Sequence, residues 1–163
     1  MKNFLLLMSS FLLLNTISAQ LKPSVSCPVF KVDILRGNVN GAGADFTIGQ
    51  IKEKLPCATS EEAESKTAQC GGGIFYKDKD VYFYTQRDYI EIGPAYKGEF
   101  TIPVMHAKRG SLFSKLGNPV LKDAAWDAYQ TQYGILVLYY SKENKVNRII
   151  ISTKSTQELD LCL

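Results

Sequence analysis

The rhythm of hydrophobic and polar positions changes several times along this chain. The opening MKNFLLLMSSFLLLNTISA is nearly all apolar after Lys2, with blocks at Phe4–Met8 and Phe11–Leu14, and ends in the small residues Ser18 and Ala19. A positive start, a short apolar run and a small-residue end mark a secretory signal peptide; a bilayer span needs roughly 20 apolar residues. We expect cleavage after Ala19, leaving residues 20–163 as a single globular domain, secreted or periplasmic.

Past a short polar lead, Pro28–Leu35 alternates and predicts a strand. Gly37–Ala44, GNVNGAGA, reads as a flexible connector: it lacks the Lys-Ser/Thr end of a phosphate loop. Thr47–Leu55 predicts a helix. Thr47 and Gln50 have capping-box spacing, Ile48, Ile51 and Leu55 share one face, and Pro56 stops the run. Thr59–Ala68 is polar and Glu-rich, consistent with a short exposed helix, and Gly71-Gly72-Gly73 breaks the chain. Strands are then expected at Ile74–Lys77 and at the long aromatic run Val81–Ile92, followed by Phe100–Met105. Ser111 would cap a short helix with Leu112, Phe113 and Leu116 inward, ended by a left-handed Gly117 before Pro119. Trp126–Tyr133, Ile135–Tyr140 and Val146–Thr153 complete the strands.

The order of capped helix, breaker and hairpin occurs twice, which points to tandem repeats over about 28–105 and 106–163. Gly49-Gln50-Ile51 aligns with Gly110-Ser111-Leu112, Lys54-Leu55 with Lys115-Leu116, and Phe75-Tyr76-Lys77 with Tyr139-Tyr140-Ser141. The expected fold class is α+β: short helices on one face of an antiparallel sheet, stabilised by disulfides.

Charge excludes one class of partner. The formal net charge is only +3, falling by one when Lys2 leaves, and the longest basic cluster is His106–Arg109. A nucleic-acid binder concentrates its cations on one face. The four cysteines, Cys27, Cys57, Cys70 and Cys162, form an even set in an exported chain and imply two disulfides. Three connectivities are open. We favour Cys57–Cys70, closing a short loop, with Cys27–Cys162 tying the termini. Their wide spacing and the single histidine argue against zinc. Ser24–Cys27 looks a little like a lipoprotein box, but Cys27 lies well past the apolar run and lipidation would leave an odd cysteine.

The segment Arg109–Thr153 carries Leu116-Gly117-Asn118-Pro119, then Tyr133-Gly134, then Lys145-Val146-Asn147-Arg148-Ile149. This arrangement resembles the repeat of the β-lactamase-inhibitor-protein-like fold, and the outer-membrane assembly lipoproteins SmpA/OmlA are similar. The resemblance implies helices packed on an antiparallel sheet, with tandem copies forming a saddle that grips another protein. It also implies a disulfide soon after the first helix, where Cys57 and Cys70 sit. The first half departs from the pattern, with Pro56-Cys57 replacing Leu-Gly-x-Pro, and no lactamase-contacting residue is matched.

Candidate chemistry is sparse. His106 is the only imidazole and is expected in an exposed loop, and no Gly-x-Ser-x-Gly elbow occurs. Neither a metal nor a cofactor is implied. Tyrosine is abundant in the strands, and Tyr, Trp and Arg are enriched at binding hot spots. The candidate binding residues are Tyr82, Tyr84, Arg87, Tyr89, Trp126 and Tyr129. Tyrosine is also simply a good strand former, so a plain sheet face is the competing explanation. The expected function is a non-enzymatic protein-binding domain of inhibitor or immunity type. The alternatives are a small secreted hydrolase acting on a cell-envelope or polysaccharide substrate through Asp88, Glu91 or Glu99, and a small-ligand carrier that uses the aromatic sheet.

Overall fold

Local sequence codes produce most of the elements. The computed structural model describes residues 26–65, 67 and 70–162; the expected signal peptide at 1–19 and most of the lead segment lie outside the described residues. The first third holds strands β1 (Lys31–Asp33), β2 (Asn38–Val39) and β3 (Ala42–Gly43), then helix α1 (Ile48–Lys54). Strands β4 (Ser60–Glu62), β5 (Gly73–Tyr76), β6 (Val81–Tyr84) and β7 (Tyr89–Ile92) follow, then β8 (Glu99–Phe100). Helix α2 (Phe113–Leu116) leads into β9 (Leu121–Lys122), β10 (Trp126–Gln130), β11 (Ile135–Tyr140) and β12 (Val146–Ser152).

The strands form two sheets. The larger has the order β4-β5-β6-β7-β12-β11-β10-β9, antiparallel throughout, so each half is a meander and the halves meet where β7 pairs with β12. The smaller has the order β3-β2-β1-β8, with β1 and β8 parallel. The chain is thus a mixed α+β fold with short helices and two disulfides.

One face of the large sheet is fully roofed. Ile74, Tyr76, Val81, Phe83, Ile90, Ile92, Leu136, Leu138, Ile149 and Ile151 point into a core closed by Phe30, Val32 and Ile34 of the small-sheet segment and by Ile51 and Leu55 of the α1 region. Helix α1 begins at the expected capping box: Gln50 N–H donates to Thr47 Oγ1 at 3.4 Å, and Thr47 N–H donates to Gln50 Oε1 at 2.9 Å. Its end is fastened by Tyr76, whose hydroxyl donates to the Leu55 carbonyl at 2.6 Å while its ring meets Phe30 edge-on. In the other half, Arg109 clamps the loop before β10. Its guanidinium pairs with buried Asp127 and reaches the carbonyls of Asp123, Ala124 and Trp126, and Tyr140 donates to the same carboxylate at 2.8 Å.

Several expectations need correction. The polar stretch after Cys57 is not helical where described: Ser60–Glu62 is edge strand β4. The run Val81–Ile92 is not one strand but a hairpin, turned by a 3-10 helix at Thr85–Arg87 and by Asp88 at φ 51°. The strand expected over Phe100–Met105 ends at Phe100. GNVNGAGA is ordered as the β2–β3 hairpin. Its Asn40-Gly41 turn has both residues at positive φ, as a type I′ turn requires, and Asn40 bonds Lys31 N–H and the Val29 carbonyl. Gly37 lies beneath Tyr133 at φ 66°, where a Cβ would stand 2.5 Å from the ring.

The disulfide pairing is also corrected. Cys27 joins Cys57 and Cys70 joins Cys162, in place of Cys57–Cys70 and Cys27–Cys162. Strand order gives the reason. Cys57 follows α1, whose end packs by the segment entering β1, and Cys70 precedes β5 on the side where the C-terminal tail crosses.

Helix α2 is a single turn with no side-chain cap, and Ser111 instead donates to the Lys108 carbonyl. Leu112 is 6% exposed and Leu116 packs on the core, but Phe113 points outward at 58% exposure, against expectation. Leu112→Ala should therefore destabilise by about 2–3 kcal/mol. Phe113→Ala should stay within about 0.5 kcal/mol, as surface substitutions do. Urea denaturation of the two variants checks the assignment, and equal losses would contradict it.

A candidate binding face on the large sheet

Among the described residues, no helix lies on the second face of the large sheet. Side chains alternate along each strand, so the residues between the core positions point this way. One row crosses the sheet by register: Phe75 opposite Tyr82, Tyr82 opposite Glu91, Glu91 opposite Ile150, then Val137, Ala128 and Leu121. A neighbouring row runs Tyr84, Tyr89, Ser152, Ile135.

The C-terminal tail covers part of this face. Leu159, Leu161 and Cys162 pack on a cluster of Tyr89, Ala128, Ile135, Val137 and Ile150. Polar ties hold the tail along its length. Cys162 N–H donates to Tyr89 Oη at 2.9 Å, Arg87 pairs with Asp160 at 2.8 Å, and Lys154 pairs with Asp88 at 2.6 Å. Ser152 Oγ donates to the Asp88 carbonyl at 2.7 Å. An apolar groove of about 190 Å³ remains between the tail and β9–β11, lined by Leu121, Trp126, Ile135, Val137, Leu159 and Leu161 among others.

The remaining half of the face carries aromatic rings that the described part of the tail does not cover. Phe75 lies 5.5 Å from Tyr84 and 6.2 Å from Tyr82, centroid to centroid, and Tyr84 stacks on Tyr89 at 4.5 Å. Phe75, Tyr82 and Tyr84 are half-buried. On β12, the Arg148 guanidinium sits 3.9 Å above the Tyr139 ring. Burial raises the Glu91 carboxyl above its ordinary value; Arg148 pulls it back and Asp80 adds to the rise. Burial likewise raises Tyr82, aided by Asp80.

The six candidate binding residues therefore separate into groups. Tyr82 and Tyr84 stand on the open half, and Trp126 borders the groove. Tyr89 shares their face but is fully buried under the tail. Arg87, on the turn between β6 and β7, is a tail anchor. Tyr129 points the other way, into the roofed core. Phe75, Tyr139 and Arg148 belong to the face and were not among the six. Their signal was present in the strand alternation, once Tyr82 and Arg148 are placed outward.

The acids of the alternative hydrolase are not brought together. Asp88 is held in the turn by Lys154, Glu91 lies on β7, and Glu99 belongs to the small sheet. His106 is exposed in a turn at φ 63°. Among the described residues there is no cluster of three or more His, Cys, Asp or Glu able to hold a metal, and no helix long and apolar enough to cross a membrane.

Compared with known proteins, this chain is matched by no family model, no curated protein and no solved structure.

Proposed function

We propose that this chain is an exported, non-enzymatic domain that grips another protein through the open aromatic half of its large sheet, in the manner of an inhibitor or immunity protein. The observation that carries the reading is the contrast across one sheet face. Tyr89 and Ile135 are sealed by the tail, while Phe75, Tyr82 and Tyr84 form a ring cluster left half-buried. The two tyrosines bury large rigid area at little entropic loss and keep a hydroxyl for a hydrogen bond, which is why tyrosine is enriched at hot spots, and Phe75 adds apolar area beside them.

The tandem-repeat reading fits the same picture. Each four-stranded meander follows a helix, α1 before β4–β7 and α2 before β9–β12. The equivalence then pairs β5 with β10 and β6 with β11, so the alignment of Phe75-Tyr76 with Tyr139-Tyr140 joins strands of different rank. A partner seated across such a sheet would touch both halves.

The test begins with partner capture from culture medium and cell envelope, followed by binding curves with the purified partner. Tyr82→Ala should leave the melting temperature nearly unchanged, whereas Tyr84→Ala also removes the ring stacked on buried Tyr89 and should lower it modestly. At least one should weaken binding by about 2 kcal/mol, roughly thirtyfold. Phe83→Ala, on the roofed side, should lower stability instead. Full binding by both tyrosine variants would sink the proposal.

A further inference from the structure

Glu91 is out of place on this face. It lies mid-strand on β7, between Tyr82 of β6 and Ile150 of β12. No hydrogen bond or ion pair to another described residue reaches its carboxylate. The nearby cation, Arg148, is seated on the Tyr139 ring, and Asp80 is occupied by Ala95 N–H at 2.7 Å. Half-burying a charge with no donor is unfavourable, and a hydrophobic or amide side chain here would avoid that loss. The carboxylate is thus desolvated in the free protein, beside the rings of Phe75, Tyr82 and Tyr84.

We propose that Glu91 and the surrounding rings form a socket for a cationic side chain, an arginine above all, carried by the protein partner. This rests on the binding role of the face argued above. The chemistry is complementary on two counts. A guanidinium supplies the donors that Glu91 lacks, as a charge-assisted pair. Its flat cationic plane also lies favourably on aromatic faces, which a more strongly hydrated ammonium does less well. The socket further acts as a filter: a partner presenting an apolar or acidic group would bury Glu91 deeper and still unpaired.

The groups facing Glu91 set its pH behaviour. They are Tyr82 and Tyr84 from β6, Tyr89 from β7 itself, Arg148 from β12, and Asp80 from the turn before β6. The carboxyl takes up its proton at a higher pH than an ordinary glutamate, because desolvation outweighs Arg148. Cation binding should therefore weaken on acidification, starting above the usual carboxylate range.

Nitrogen-15 NMR titration of the oxidised protein tests the socket directly. The probes are N-acetyl-arginine methylamide and its neutral isostere, N-acetyl-citrulline methylamide. The arginine probe should shift the amides of residues 75, 82–84 and 90–92 saturably, with at least tenfold higher affinity than citrulline. Glu91→Gln should erase that preference while melting no lower than the parent, since it removes an unpaired desolvated charge. Equal binding of both probes, an unchanged preference in Glu91→Gln, or no saturable shift at these amides would overturn the socket. The captured partner separates the two proposals. If Tyr82→Ala or Tyr84→Ala weakens the complex and Glu91→Gln does not, the face binds without a cation socket; if none of the three does, both proposals fall.

Discussion

Replacing Cys70 and Cys162 together by serine is expected to lower the unfolding free energy by about 4–5 kcal/mol. The bridge joins residues 92 apart, and the chain-entropy model assigns a loop of that length this much. The loss should have a local signature as well. The bond pins the far end of the tail, where Cys162 N–H also reaches Tyr89 Oη. Without it, the remaining ties include that backbone bond, Arg87–Asp160, Lys154–Asp88 and the apolar contacts of Leu159 and Leu161. Two of these ties are surface ion pairs, worth little individually. Amide hydrogen exchange across Tyr89–Ile92 and Ile135–Val137 should therefore rise more than across Ile74–Tyr76. A stability loss under about 1 kcal/mol would show that the tail is held by packing and that the bridge adds little to it.

Tyr76→Ala should be nearly as damaging, at about 3–5 kcal/mol, the range for removing a fully buried aromatic ring. Tyr76 is wholly inaccessible, meets Phe30 and Phe83 edge-on, and holds the Leu55 carbonyl at the end of α1. It links the large sheet, the segment entering the small sheet and the helix in one side chain. Tyr76→Phe divides the effect: it keeps the ring and removes only the hydrogen bond, for about 1–2 kcal/mol. Guanidinium denaturation of the pair gives both numbers. Equal losses would place the weight on the hydroxyl and contradict the packing argument.

What could be read from the sequence was what the chain encodes locally. The Thr47/Gln50 box, the Ile51 and Leu55 face and the stop at Pro56 lie within one short segment, and α1 follows from them. Strand β11 matches its expected span, Ile135–Tyr140, because a run of apolar residues is bounded by Gly134 and a polar turn. The hairpin at 81–92 was lost because its turn uses no glycine. Thr85-Gln86-Arg87-Asp88 is four polar residues in a row, a turn-like interruption between two apolar runs, but it holds neither glycine nor proline and its left-handed residue is an aspartate. A twelve-residue strand already exceeds the usual five or six, and that length was the available clue. The error carried into the site. A continuous strand places Tyr89 on the side of Phe83, whereas the turn shifts the phase by one and puts Tyr89 and Glu91 beside Tyr84. Phe113 misled for a different reason: a four-residue helix is too short for periodicity to define an inner face. Disulfide partners depended on which strand ends lie together, and sheet order is not written in cysteine spacing.

The pairing of Cys27 with Cys57 and Cys70 with Cys162 joins each cysteine to the next one along the chain. A polypeptide appears N-terminus first, so Cys27 and Cys57 are the first two of the four thiols to become available, and once they are joined two remain for the second bond. An oxidant that acts on cysteines as they arrive would reach the native connectivity directly. The nested alternative, with Cys27 waiting for Cys162, would need a thiol protected through the whole of synthesis, or later reshuffling on a scale of seconds to hours.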